Sequence, residues 1–192
     1  MMRVPLLMLA FCAACATSKP KPFWVGASDP YPSGKSPYQL TLPAEWMRVN
    51  DDSALVAAGS ILIATRDGTP LQVVVLHRDA VDKPLKHTKR QVRKDMSPLE
   101  LSEVLADEFA SNPGKKGFEM LERAPATVAD APGFRMLSVS KNERGLRKKH
   151  LVYGRLEGSW FYWLMYEAPE NYYFEANLAA FEDVVKSFHI AG

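Results

Sequence analysis

The sequence predicts an α+β domain in which a mainly antiparallel central β-sheet carries helices on both faces, an α/β/α sandwich. Three observations lead there. Eight short runs rich in β-branched and aromatic residues are separated by Gly, Pro, Asp or Asn, whereas only two segments show helical periodicity. Most of these runs follow one another through connections short enough for hairpins, which pairs them antiparallel. The run Trp160-Phe161-Tyr162-Trp163-Leu164-Met165-Tyr166 is apolar on both alternating faces, as expected of a central strand covered on both sides.

The chain has 192 residues, with 24 Lys and Arg against 22 Asp and Glu, 47% hydrophobic residues and 2 Cys. These values describe one globular domain with an N-terminal extension, and they exclude a disordered or collagen-like chain. After residue 15 no apolar run approaches the roughly 20 residues that cross a bilayer, which excludes a transmembrane bundle.

Residues 1–14 read as an export signal: Arg3, an apolar stretch from Val4 to Phe11, then the small residues Ala13 and Ala14. Ala13-Ala14-Cys15 resembles the lipobox of bacterial lipoproteins, with Cys12 standing where that pattern prefers Leu. The resemblance implies cleavage before Cys15 and lipidation of its thiol, a covalent lipid being the one group expected, with no cofactor and no metal. Acylation at Cys12 would put bulky Phe11 at the cleavage site, so Cys15 is the better candidate. Cys12-Ala13-Ala14-Cys15 also spells the redox and zinc motif C-x-x-C, but it lies within the signal. More than one acyl chain gives stable anchoring, so the expected attachment is a tether to the membrane. Ala16 follows the Cys where an Asp would retain a lipoprotein inside. By resemblance to lipoprotein sorting this favours the outer membrane if the source has one, and otherwise the cell membrane.

Residues 15–37 contain Pro20, Pro22, Pro30, Pro32 and Pro37 among Ser, Gly and Lys, and read as a flexible spacer. Gly34-Lys35-Ser36 imitates the end of a phosphate-binding loop, but Asp29 stands where the loop needs its first Gly. A single domain is expected over 38–192. Its strand candidates are Tyr38 to Leu42, Trp46 to Val49, Ser60 to Thr65, Leu71 to His77, Phe118 to Ala124, Phe134 to Ser140, Leu146 to Leu156 and Trp160 to Glu167. Ser97-Pro98-Leu99-Glu100 is a capping box that opens a helix through Leu101, Val104, Leu105 and Phe109, stopped by Asn112-Pro113-Gly114. A last helix is expected from about Asn171 to Phe188, with Phe174, Leu178, Phe181 and Val185 at spacings of three and four.

The opening Tyr38-Gln39-Leu40-Thr41-Leu42-Pro43-Ala44-Glu45-Trp46, the hairpin of Phe134 to Ser140 with Lys149 to Leu156, the aromatic strand and the closing Phe181 to Phe188 together resemble the PsbP-like family. That family takes in a photosystem II extrinsic subunit, the Mog-type Ran-binding proteins and many bacterial lipoproteins. The matching motifs are structural. What the resemblance implies is a binding scaffold, since its members act as assembly factors, extrinsic subunits, chaperones or Ran-binding proteins. The photosynthetic role does not carry over, and no metal-ligand set matches residue by residue.

Catalytic signatures are lacking in the sequence. His77-Arg78-Asp79 imitates a kinase triplet, but Pro84 stands where Asn is required, and Gly59-Ser60 and Gly158-Ser159 read as turn-to-strand boundaries rather than nucleophile elbows. His77, His87, His150 and His189 have no ligand spacing and read as surface or strand-edge residues. The aromatics Trp160, Trp163, Tyr166, Tyr172 and Tyr173 either fill the core or line a groove, with the core as the ordinary use.

Charge is segregated along the chain. Residues 77–94 hold 7 basic side chains against Asp79 and Asp82, and residues 141–155 hold 6 against Glu143, while 95–140 and 156–192 are net acidic. The simple reading is solvated loops that keep strand edges apart. The sharper one is a polyanion site built from Lys86, Lys89, Arg90, Arg93, Lys94, Arg147, Lys148 and Lys149, facing an anionic lipid or glycan. Nucleic acid is not expected after export, and the basic runs lack interleaved aromatics. The function expected is therefore a lipid-anchored, non-catalytic envelope protein that binds a partner protein during assembly. A binder of polyanions or anionic headgroups, and an enzyme without recognisable motifs, stand as the alternatives.

Overall fold

The computed structural model describes residues 24–26, 30–32, 36–49 and 60–191. The signal 1–14 and Cys15 lie outside these residues.

Strand β9 (Trp160–Pro169) sits at the centre of the sheet because neither of its faces favours water. Phe161, Trp163 and Met165 enter one core and Tyr162, Leu164 and Tyr166 the other, none more than 9% exposed. Its neighbours are β5 (Val73–Ala80) and β8 (Arg147–Glu157), both antiparallel. Beyond β5 lie β4 (Ser60–Thr65), β3 (Met47–Val49) and β1 (Trp24–Gly26), and beyond β8 lie β7 (Ala131–Lys141) and β6 (Lys116–Val128). The eight strands run in the order β1-β3-β4-β5-β9-β8-β7-β6. Every neighbouring pair is antiparallel, so the expected sheet is the observed one.

Among the described residues, two helices cover opposite faces. Helix α1 (Pro98–Ala110) starts at the capping box: Ser97 Oγ accepts the Glu100 N–H at 3.3 Å, and Glu100 Oε2 accepts the Ser97 N–H at 2.7 Å. Its Leu101, Val104, Leu105 and Phe109 form one core with Phe134, Met136, Val152 and Phe161. Helix α2 (Tyr173–Ser187) forms the other through Phe174, Phe181, Val184 and Val185 against Tyr153, Tyr162 and Tyr166. It begins two residues later than the periodicity suggests, because Tyr172 adopts a left-handed backbone with φ of 67° that interrupts helical hydrogen bonding.

The opening and closing motifs meet. A small ribbon joins β2 (Tyr38–Gln39) to β10 (His189–Ile190), the Thr41 N–H donates to Ser187 Oγ at 2.9 Å, and Phe188 is buried against Tyr162 with ring centroids 6.3 Å apart. Trp46, which closes the Leu42-Pro43-Ala44-Glu45-Trp46 turn through its N–H to the Pro43 carbonyl at 2.9 Å, is 2% exposed in the α2-side core.

Part of the expected spacer belongs to the fold. Trp24–Gly26 pairs with β3, and Tyr31, 3% exposed, exchanges backbone hydrogen bonds with Leu40 at 2.7 and 2.8 Å. Proline forbids helix interiors and central strands, but it is compatible with an edge strand and a short bridge, so the boundary drawn at Tyr38 falls inside folded structure.

Candidate functional site

Helix α1 packs over β6, β7 and β8, and its cover ends where β9 meets β5. There the loop 81–97 turns back to meet the helix. Glu108 Oε1 accepts the His87 N–H at 2.8 Å, and Oε2 accepts the N–H and the hydroxyl of Thr88, both at 2.9 Å. Burial alone would raise the Glu108 carboxyl, but these donors outweigh it and hold the group below its ordinary range. Glu108→Ala should therefore release the loop, costing about 1–3 kcal/mol and speeding hydrogen exchange at the His87 and Thr88 amides.

Between this loop, α1 and the sheet lies a cleft of about 470 Å³, within the ~300–1,000 Å³ range of small-molecule sites. Val75, Met165 and Trp163 form its floor, with Leu85, Leu105 and Phe109 as apolar walls. One polar row crosses the floor. Ser60 on β4, His77 on β5 and Trp163 on β9 are cross-strand partners, and Asp79 lies two residues from His77 on the same face. Ser60 Oγ is 3.1 Å from His77 Nδ1, and His77 Nε2 is 3.2 Å from Asp79 Oδ1. The Trp163 indole N–H donates to Asp79 Oδ2 at 3.1 Å, and its ring stacks on His77 at 4.5 Å. The row has the composition of a Ser-His-Asp relay, yet it arises from sheet register, and the Asp is shared with an indole.

A second cluster lies at the turn after α1. His150, expected at a surface or strand edge, is 1% exposed, which corrects that reading. Its place on β8 between β7 and β9 buries it, and Ser140 Oγ at 2.8 Å and Glu167 Oε2 at 3.1 Å satisfy its ring. Lys115 and Lys148 also reach Glu167, at 2.7 and 2.9 Å. Burial lowers the His150 pKa below the ordinary imidazole value, so the ring is neutral near pH 7. Among the described residues no group of three His, Cys, Asp or Glu side chains is placed to hold a metal ion.

The basic residues singled out in the sequence are scattered rather than gathered. Arg90 pairs with Asp107, Arg93 with Asp95, Arg147 with Glu119 and Glu170, Lys148 with Glu167 and Lys149 with Glu175. Lys86, Lys89 and Lys94 are exposed and form no ion pair with a carboxylate of the described residues, Lys89 Nζ donating to the Lys86 carbonyl. Register separates the two runs: β5 leaves the sheet at Ala80 beside Trp160, whereas β8 starts at Arg147, one residue before Lys148 pairs with Pro169 at the other end of β9. Segments segregated by charge in the sequence thus face each other in space. Of the aromatics, Tyr166 is core and Tyr172 is 76% exposed, while Trp163 lines the cleft. Nothing in the sequence distinguishes Trp163 from its neighbours, because the cleft is made by where α1 stops.

Among the described residues, an eight-stranded antiparallel sheet with one helix on each face defines an α+β sandwich rather than an α/β nucleotide fold. The chain has the PsbP/Mog-like fold. It is similar to cyanobacterial PsbP from Synechocystis sp. PCC 6803, with a TM-score of 0.58 and 12% identity over 86% of this chain and 94% of that one. It is similar to LpqN, described as involved in cell envelope biogenesis of Mycobacterium tuberculosis, with a TM-score of 0.56 and 13% identity over 81% and 83% of the two chains. The Saccharomyces cerevisiae Ran-binding protein Mog1p matches with a TM-score of 0.50 and 13% identity over 80% and 90%. At these identities the likeness is one of fold. No protein-family model and no curated protein matches the chain.

Proposed function

We propose that the protein is a lipid-anchored, non-catalytic module of a bacterial envelope that binds another protein during assembly or stabilisation of a surface complex. The observation that carries this reading is the sheet face beside the cleft. Ile63 pairs with Val75 and Met47 with Thr65, so Met47, Ile63, Val73 and Val75 share the α1 face; Met47 is 42% exposed and the other three are half-buried. This apolar strip runs into the cleft floor at Met165 and Trp163. A strip of this kind beside a cleft suits a partner's apolar side chains. The polar groups of the cleft floor are engaged with one another, which favours recognition over chemistry. The signal 1–14 and Cys15 support anchoring, and the envelope and Ran-binding descriptions of LpqN and Mog1p accord with a binding role.

Ile63→Glu should abolish recovery of a stoichiometric partner after crosslinking and affinity purification, while the variant still unfolds cooperatively. Undiminished recovery would show that this face is not the docking surface. A second reading, binding of anionic headgroups or glycans, rests on exposed Lys86, Lys89 and Lys94. It predicts salt-sensitive vesicle association that disappears when Lys89, Arg90, Arg93 and Lys94 are replaced by Gln.

A further inference from the structure

The buried cluster beside the cleft contains two ammonium groups and one carboxylate. Lys115 and Lys148 share Glu167, and their side chains are 13% and 8% exposed. With His150 neutral, one positive charge is in excess in a place largely withdrawn from water. Lys115 is the member that also lines the cleft. An ammonium has three N–H groups; Lys115 gives one to Glu167 and at most one more to His150 Nδ1, 3.1 Å away, so at least one has no hydrogen-bond acceptor among the described residues. Asn112, three residues earlier, lines the same cleft. Its Oδ1 accepts the Gly114 N–H at 2.9 Å, which orients the amide and leaves the two N–H groups of Nδ2 without an acceptor among the described residues.

We infer that the cleft binds a small organic acid with an apolar body and a single carboxylate, the carboxylate taking N–H bonds from Lys115 and Asn112 and the body lying on Trp163, Met165 and Phe109. Charge decides the class. At the Lys115 end of the cleft a cationic group would add to the excess positive charge of the Lys115–Lys148–Glu167 cluster, whereas one carboxylate matches it, and the carboxylates of Asp79 and Glu108 elsewhere in the lining disfavour a second anionic group. The two acidic residues of the cleft do not compete for Lys115, since Asp79 is held by His77 and Trp163, and Glu108 by His87 and Thr88. The apolar walls supply the rest of the affinity. The ligand would share the cleft floor at Trp163 and Met165 with the end of the partner-docking strip, but its binding does not depend on that strip and survives if docking there fails.

The test is titration of octanoate and of octanol into the full chain carrying Cys15→Ala, following the Trp163 indole N–H by NMR. Octanoate should shift that resonance saturably, and octanol should bind about tenfold more weakly for want of the charge-assisted hydrogen bonds. Asn112→Ala should weaken octanoate several-fold while the protein still unfolds cooperatively, and Lys115→Gln should erase the preference for acid over alcohol. Should Lys115→Gln not fold, Asn112→Ala decides alone. Equal binding of octanol and octanoate, an unaltered octanoate affinity in Asn112→Ala, or no Trp163 response in cooperatively folded protein would overturn the inference.

Discussion

Glu167→Gln is expected to destabilise the protein by about 3–5 kcal/mol, because it leaves two buried ammonium groups without their shared counter-charge. For a domain of this size that lowers the melting temperature by roughly 6–20 °C. Glu167 joins Lys115 from the α1–β6 turn to Lys148 and His150 on β8, so the loss is felt across three elements. Burial alone would raise its carboxyl, but the hydrogen bond from His150 and the charges of Lys115 and Lys148 hold it well below the ordinary range. The pH dependence follows from the signs. A carboxyl with a depressed folded pKa contributes stability above its unfolded value of 4.5, and that contribution is lost as pH falls through the folded one. His150 acts in the same direction: it is buried neutral, so below 6.5 the unfolded chain takes up a proton that the folded one resists. Wild-type stability should therefore be greatest above about pH 6.5 and should decline in acid. The gap to Glu167→Gln should narrow below 4.5, as chemical denaturation across pH will measure.

Trp46→Ala is expected to cost about 3–5 kcal/mol through lost apolar burial and the cavity left behind. The indole is 2% exposed and belongs to the same core as Leu40, Leu42 and Phe188. These residues come from the two ends of the domain, so the cavity would lie where the opening segment is clasped by the end of α2. The Thr41 N–H bond to Ser187 Oγ and the β2–β10 ribbon should then open below the global transition, visible as fast exchange of the Ala191 amide that bonds the Pro37 carbonyl. A loss under about 1 kcal/mol would mean that the site collapses to fill the space, and that this turn is not the clasp.

The features legible in the sequence are those set by local or periodic physics. Trp160 to Tyr166 had to be central because every position is apolar, Ser97 to Glu100 had to start a helix because each side chain caps the other's backbone, and Phe174 to Phe188 had to face a core. Tyr31 and Trp24–Gly26 were hidden by prolines whose meaning depends on strand position, an edge being permissive where a centre is not. His150 was misplaced because the sequence does not reveal that β8 lies inside the sheet with Glu167 opposite it. The basic runs looked like patches because their carboxylate partners, Asp107, Glu119, Glu167, Glu170 and Glu175, are remote along the chain. The cleft itself depends on register and on the width of the sheet relative to one helix. No single residue could announce it.

The part of the α1 face that lies beyond helix α1, from Met47 to the cleft, is the surface proposed to dock a partner protein. Photocrosslinking in intact cells tests it directly, with the photoreactive side chain placed at Met47 in one strain and at Leu121, equally exposed at 44% but on the far edge strand β6, in another. One discrete adduct from Met47 and none from Leu121 is the expected result. Adducts from Leu121 alone, or the same adducts from both positions, would contradict it.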